Sequence, residues 1–385
     1  MERMKPLEEI TVVSLEHAIA APFATRQLAD LGARVIKVER PGSGDFARNY
    51  DERVRGLSSH FVWCNRSKES IELDLKSDFG LEALRALIRK ADVVVQNLAP
   101  GSMQRLGLDY QALKAINPGI IMCEISGYGQ DGPHRDRKAY DLLIQAESGF
   151  LSVTGDAADV AKAGCSIADI AAGMYAYSNI LSALLLRRET GEGRHIDISM
   201  LEAMAEWMSF PMYYGFEGAA PPPRAGASHA TIYPYGPFQA NDGSVMLGVQ
   251  NEREWASFCD VVLLDRDIAH DERFRTNSLR SANRGALKAI IEKAFAELLR
   301  EEVLRRLDAA KIANASVSQV SDLWKHPQLA ARGRWTQVGS GVGSIPALLP
   351  PGQTAARMDP VPKLGEHTTK ILADLGLSEC PARQG

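Results

Sequence analysis

The chain has 385 residues, with 44 Lys+Arg against 48 Asp+Glu for a formal charge of −4, and 45% hydrophobic against 24% charged residues. That balance excludes global disorder, and the absence of a basic surplus argues against a dedicated nucleic-acid binder. At about 150 residues per domain the length predicts two to three domains, each large enough to bury a core without staples.

Ile10–Leu15 is a short β-branched run, followed by helical spacing over Pro22–Leu31, a stop at Gly32 and a second strand-like run at Arg34–Glu39. The alternation continues with a strand at Ile71–Leu75, a helix at Phe79–Ile88 and a strand at Asp92–Asn97. A helix at Tyr110–Ile116 and a strand at Ile120–Ile125 come next. Such alternation predicts parallel strands with crossover helices, hence a Rossmann-like α/β large domain. A long helix at Ile167–Arg188, a strand at His195–Ser199 and a helix from Leu201 follow. Gly218–Gly226 contains Pro221-Pro222-Pro223, which fits neither regular helix nor central strand, and a domain boundary is expected there.

The next segment differs in style. Asp242-Gly243 between Tyr235–Ala240 and Ser244–Val249 predicts a hairpin, and helical patterns follow at Glu252–Leu263 and Ala286–Leu307. This is a smaller α+β domain. A loose stretch, Gly339–Gly352, precedes a terminal helix at Glu366–Leu375. The expected organisation is residues 1–218, 226–325 and a C-terminal segment, 326–385.

Five cysteines (Cys64, Cys123, Cys165, Cys259, Cys380) stand scattered with no CxxC pair, which argues against a disulfide framework or a cysteine zinc site and for a reducing compartment. The opening MERMKPLEEITVV lacks the apolar run of a signal peptide. The richest apolar window, Ile167–Leu186, carries Asp169, Tyr175, Tyr177, Ser178 and Asn179, and reads as a buried helix rather than a membrane span. A soluble, cytoplasmic protein with no membrane or nucleic-acid partner is expected.

Gly42-Ser43-Gly44-Asp45-Phe46-Ala47 matches a loose dinucleotide-binding pattern, but it follows the second strand, whereas that fingerprint belongs after the first. The alternatives are a surface turn, or loop amides that join Arg40 on a different nucleotide-bearing ligand. There is no GxSxG elbow, HExxH or Walker loop, and the eight histidines stand apart, so no metal site is expected. Asp169 is the only acid in Ala161–Ala176, among small and apolar neighbours that leave room for a ligand. Two readings stand: a nucleophile sharpened by loss of water, or the commoner capping box Ser166-x-x-Asp169. The turn-rich loop Ser126–Pro133 leads to Lys138 and Tyr140, while Arg40, Lys76 and Arg105 each lie past a predicted strand. Singly these are surface charges; together they suit a polyanionic ligand.

Jointly, the segments PFATRQLADLGARVIKVERPGSGDFAR (Pro22–Arg48), SKESIELDLK (Ser67–Lys76), VVQNLAPGSMQRLGLDY (Val94–Tyr110), ISGYGQDGPHRDRKAYD (Ile125–Asp141), AGCSIADIAAGMYA (Ala163–Ala176) and LGEHTTKIL (Leu364–Leu372) resemble the class III CoA-transferase family, which includes formyl-CoA transferase. The resemblance runs from about Pro6 to Leu377. It implies an interlocked homodimer, with the C-terminal segment returning to the large domain. It makes Asp169 the nucleophilic aspartate. His17, Ala18, Ala20, Arg40, Leu73, Lys76, Asn97, Arg105, Lys138 and Tyr140 then match CoA-lining positions. No permanent cofactor is implied; coenzyme A enters as acyl-CoA substrate, together with small carboxylic acids.

The loop that is glycine-rich in formyl-CoA transferases reads Gly248-Val249-Gln250-Asn251-Glu252 here, with one glycine, and Ile19 stands where those enzymes carry glutamine. Both departures point away from formate or oxalate and toward dicarboxylates such as succinate, citramalate, mesaconate or itaconate. Arg48, Gln250 and Asn251 are the candidate acceptor contacts, and amides near Gly248–Asn251 are candidate oxyanion donors. The rival readings are an acyl-CoA racemase, disfavoured because Tyr140 replaces the racemase histidine, and a non-catalytic CoA-binding protein.

Overall fold

The computed structural model describes residues 5–377, so Cys380 lies outside the described residues. Strands β1 (Thr11–Leu15), β2 (Arg34–Glu39), β3 (Lys68–Glu72), β4 (Val93–Gln96), β5 (Ile121–Ser126) and β6 (His195–Ser199) form one sheet in the order β3-β2-β1-β4-β5-β6. Every pairing is parallel. This is the doubly wound α/β arrangement expected from the sequence, with β6 extending the series.

The sheet's two faces differ. With a period of two, Ile36 and Val38 of β2 and Ile71 of β3 join an apolar core with Val13, Leu84, Ile88 and Met122. Lys37 and Glu39, and Lys68 and Ser70, lie on the opposite face and are all buried. There the helix Ala20–Asp30 packs on the long helix Ile167–Thr190. The long helix is apolar enough to cross a membrane by composition alone. Ala168, Ala171, Ala172, Ala176, Ile180, Ala183 and Leu184 are buried within its unit, while Leu185 and Leu186 are exposed.

Two compact units emerge. The first gathers the chain up to Ser148, Ala163–Met208 and everything from Gln328; the second comprises Gly149–Lys162 and Ser209–Pro327. The break therefore falls at Met208, ahead of the expected residue 218, and the proline run lies inside the second unit. Hydrogen bonds explain the shift: Gly226 N–H donates to the Gly155 carbonyl (2.8 Å), and Arg224 Nε to the Asp156 carbonyl (2.7 Å). They tie the segment after the prolines to an excursion that the strand–helix pattern did not reveal.

In the second unit, β7 (Tyr235–Ala240) and β8 (Gly243–Gly248) form the expected antiparallel hairpin, and β9 (Ala313–Ser316) adds a third strand beside β8. The single helix expected over Ala286–Leu307 is two, Arg284–Phe295 and Arg300–Ala309, and Glu252–Ser257 passes into a π-helical turn at Phe258–Val262. In the first unit, part of the stretch expected to be loose, Ile345–Leu348, is a strand (β11) paired with β10 (Trp335–Val338). Beyond it, the returning chain closes the β3 edge. His367 N–H donates to the Ser70 carbonyl (3.0 Å), and Glu72 N–H donates to Thr368 Oγ1 (3.0 Å).

A buried fork locks the C-terminal end of the first helix. Arg66 Nε and Nη2 donate to the two carboxylate oxygens of Asp30 at 2.8 and 2.7 Å. An Arg66→Ala substitution leaves the Asp30 carboxylate, among the described residues, with Arg26 at 3.4 Å. It is expected to lower the unfolding free energy by about 3 kcal/mol, read from the urea midpoint at pH 7.

Candidate active site

In a parallel sheet every strand-to-helix loop leaves from the same edge, and ligands bind where the strand order reverses. Here the reversal lies between β1 and β4. The candidate residues all follow the C-terminal ends of neighbouring strands. His17, Ala18 and Ala20 follow β1, Arg40 follows β2, and Leu73 and Lys76 follow β3. Asn97 and Arg105 follow β4, and Lys138 and Tyr140 follow β5. Topology thus collects residues spread over more than a hundred positions onto one edge.

At the reversal itself, Asn97 bridges the two diverging loops. Its Oδ1 accepts from His17 N–H (2.8 Å), and its Nδ2 donates to the His17 carbonyl (2.9 Å). Arg40, Lys76, Arg105 and Lys138 are exposed, as a cationic rim requires, and Tyr140 is 67% exposed. Leu73 is buried in the apolar core. Burial holds the His17 imidazole below its ordinary value, against the opposing pull of Asp45, so it is neutral at pH 7. Its ring lies 5.4 Å from that of Phe46, and Phe46 lies 5.8 Å from Tyr50.

Asp169 occupies the first turn of the long helix. The capping box does not form: Ser166 makes no side-chain cap bond. The cap comes instead from a residue 27 positions earlier, as Asp141 Oδ1 accepts from Ala168 N–H (2.8 Å). Gln145 steadies that carboxylate, donating from Nε2 to Asp141 Oδ2 (2.7 Å) and accepting from Ala163 N–H (2.9 Å). Asp169 is thereby free of the capping role. Among the described residues no donor or cation pairs with its half-buried carboxylate, and burial, with the negative charge of Asp141 adding, pushes it up to about 7. A helix start ordinarily favours the ionised form, so this elevation records how strongly desolvation dominates.

One turn later on the same face, Gly173 lets the two helices meet. A Cβ there would stand 2.7 Å from the Ala20 carbonyl oxygen and 3.0 Å from the Phe23 ring. The long helix is therefore held against the start of the first helix one turn after Asp169. Tyr50, which the sequence reading overlooked, belongs here too. Its hydroxyl is raised to about 12 by burial, then by Asp45, Asp169 and Tyr140, which places Tyr50 within electrostatic reach of both Asp169 and Tyr140.

Three expected contacts have other partners. Arg48 donates from Nε (2.9 Å) and Nη2 (2.6 Å) to Glu39 and from Nη1 to the Pro362 carbonyl (3.3 Å), and its guanidinium lies over Phe61. Its donors thus hold the C-terminal segment rather than an acceptor acid. Asn251 caps the Glu252–Ser257 helix, accepting from Glu254 N–H (2.9 Å). In the same loop the amides of Val249 and Gln250 already donate to the Pro234 carbonyl (2.9 Å) and to Glu254 (2.7 Å), so neither is free to hold an oxyanion. The Gln250 residue itself is exposed.

The model of CoA-transferase family III matches residues 7–368. The succinate–glutarate CoA-transferase of Agrobacterium fabrum is 35% identical, over 97% of this chain and 96% of that protein. The human succinyl-CoA:glutarate CoA-transferase is 33% identical over 97% and 87%. A crystal structure of a CAIB/BAIF family protein from Brucella suis superposes with a TM-score of 0.85 at 35% identity, covering 97% of this chain and all of that one. The chain belongs to CoA-transferase family III, and it is an enzyme of the CoA-transferase class.

The close approach at Gly173 carries a prediction. In a Gly173→Ala enzyme the new methyl meets backbone, which cannot swing aside as a side chain would. Stability is expected to fall by about 2 kcal/mol in chemical denaturation, and turnover to fall with it as the helix turn that carries Asp169 shifts away from the first helix.

Proposed function

We propose that the enzyme moves CoA from succinyl-CoA to a dicarboxylic acid, with Asp169 as the covalent carrier. The observation that carries this reading is a desolvated carboxylate, without a partner among the described residues, on the long helix that follows β5 of the sheet whose C-terminal edge also carries the expected CoA-lining positions. Named relatives support the donor and the acceptor class: besides the two glutarate enzymes, they include succinyl-CoA:mesaconate and succinyl-CoA–L-malate CoA-transferases. An acetyl-CoA:oxalate CoA-transferase is 37% identical over 85% of this chain, which runs against the expectation drawn from Ile19 and the Gly248–Glu252 loop, so oxalate belongs in the acceptor panel. Glutarate is therefore the first acceptor to test, ahead of citramalate, mesaconate and itaconate.

The chemistry divides one transfer into balanced steps. An Asp169 oxygen attacks the thioester carbonyl, and the carbon–sulfur bond breaks to give a mixed anhydride and CoA thiolate. The thiolate attacks the Asp169 carbonyl carbon, releasing succinate and leaving an aspartyl-CoA thioester. The acceptor carboxylate attacks that thioester, giving a second mixed anhydride and thiolate. Thiolate attack on the acceptor carbonyl forms the new acyl-CoA and regenerates the Asp169 carboxylate. No net water or proton enters, so the thioester's free energy is conserved, provided water stays out. A poorly hydrated carboxylate serves both needs.

The transfer reading makes a two-part prediction. In the absence of acceptor, succinyl-CoA should add the mass of CoA, less water, to the peptide spanning Ser166–Met174. The adduct should be released by hydroxylamine and be absent from an Asp169→Ala enzyme. A panel of carboxylic acids read by mass then names the acceptor. An Asp169→Ala enzyme that keeps full activity, or turnover with no dicarboxylate, sinks the corresponding part of the proposal.

The nucleophile must be ionised, and burial raises its folded value to about 7. Turnover per unit donor should therefore fall tenfold per pH unit well below 7 and level off above it. The sign for stability is opposite. The fold disfavours the charge, so an Asp169→Asn enzyme should melt higher than wild type at pH 8 while losing activity.

A homodimer is part of the proposal. Trp207 in the first unit and Phe210, Met212, Tyr213 and Phe216 in the second expose large apolar side chains, more than an isolated chain ordinarily leaves to solvent. Light scattering after size exclusion is expected to give twice the mass of one chain.

A further inference from the structure

We infer that Asp45 and Lys37 are positioning residues for the transfer, holding the first strand-to-helix loop, residues 16–19, in the conformation that meets acyl-CoA. The inference rests on the transferase reading above and names two residues that never reach the ligand. Asp45 is 1% exposed and Lys37 is fully buried.

The argument is an accounting of backbone groups. Asp45 Oδ1 accepts from Ala18 N–H (3.1 Å) and from Ala47 N–H (2.9 Å). Its Oδ2 takes the Lys37 ammonium at 2.8 Å. Lys37 also donates to the Glu16 carbonyl at 3.2 Å and approaches Glu16 Oε1 at 3.4 Å. The groups flanking His17, the carbonyl of residue 16 and the amide of residue 18, are thus both held by one ion pair. Those of His17 itself are both held by Asn97.

The loop is not self-supporting. Ala18 adopts φ +59°, a left-handed conformation that an alanine leaves when its restraint is removed. Arg40 and the loop after β2 start where Asp45's own amide is fixed by Glu39 Oε1 (3.0 Å), so the same pair couples two CoA-lining loops. Asp45 directly precedes Phe46, whose ring lies 5.4 Å from that of His17 and 5.8 Å from that of Tyr50.

An Asp45→Asn enzyme keeps the shape but has one side-chain acceptor where two are used. Its oxygen goes to the Lys37 ammonium, and its NH2 then faces the Ala18 and Ala47 N–H groups. The expected result is a tenfold or larger rise in KM for the acyl-CoA donor, with KM for the carboxylic acceptor unchanged. The comparison is Arg66→Lys, which weakens a buried ion pair elsewhere: its melting temperature should fall while both KM values stay at wild type. A donor KM within twofold of wild type in Asp45→Asn overturns the inference.

Calorimetric titration with free CoA separates the two readings. If wild type binds no CoA, the transferase reading and this one fall together. If wild type and Asp45→Asn bind CoA equally tightly, only the positioning role is lost. Should the variant not fold, the wild-type chain decides by amide exchange. Ala18 N–H is expected to exchange as slowly as Val13 N–H in β1, and exchange at the rate of an open loop overturns the inference.

Discussion

Two ammonium groups that no water reaches set the terms for the first unit. Lys37 and Lys68 are fully buried on one face of the sheet, and charge so placed must be matched in position as well as in sign. Glu16 answers Lys68 at 2.7 Å and Asp45 answers Lys37 at 2.8 Å, with Thr25 and Asn65 taking remaining valences. Burial alone would raise the Glu16 carboxyl, yet Lys68 and Lys37 more than offset it and hold Glu16 low. The same contest leaves Lys68 lowered to about 8, because burial there outweighs what Glu16 returns. Such a cluster adds little net stability over an apolar core, but it tolerates few alternative arrangements. Glu16 directly follows β1 and Asp45 lies in the loop after β2, so matching these carboxylates places the loops.

Asp169 is the counterexample built into the same fold. Glu16 and Asp169 are both acids taken out of water, and their acidities move in opposite directions for one reason. Cations surround Glu16, whereas among the described residues Asp141 is the charged group that acts on Asp169, and it acts to raise it. Asp141 is itself occupied in capping the helix, which spares Asp169 a hydrogen bond that would lower its nucleophilicity. Glu16, the more deeply buried of the two, is nonetheless held low by its cationic partners, while Asp169, intermediate in exposure, is raised for want of them. The Gly173 contact adds position to reactivity, since it brings the helix carrying Asp169 against the start of the first helix.

Much of this was legible in residue order. The spacing of apolar runs predicted the parallel sheet, and Arg34–Glu39, Tyr110–Ile116 and His195–Ser199 appear with the expected bounds. The isolation of Asp169 among small residues marked it, though residue chemistry alone could not separate a nucleophile from a cap. Less legible were Lys37 and Lys68, whose charge reads as a solvated face until both sides of the strand are seen to be covered. Arg48 read as an available cation because Glu39 and Pro362, its partners, lie nine and 314 positions away. The β10–β11 hairpin hid in glycine and proline, and β9, Ala-Asn-Ala-Ser, carries no β-branched or large apolar residue to announce it.

Local chemistry, then, determined the alternation of strands and helices, the edge at which loops gather and the residues able to carry an acyl group. These follow from backbone sterics, side-chain periodicity and intrinsic reactivity, which act over a few residues. Tertiary packing decided which charges meet, which acid caps the long helix and which is left bare. Desolvation and Coulomb pairing depend on what lies across the fold rather than along the chain, so no window of sequence contains them.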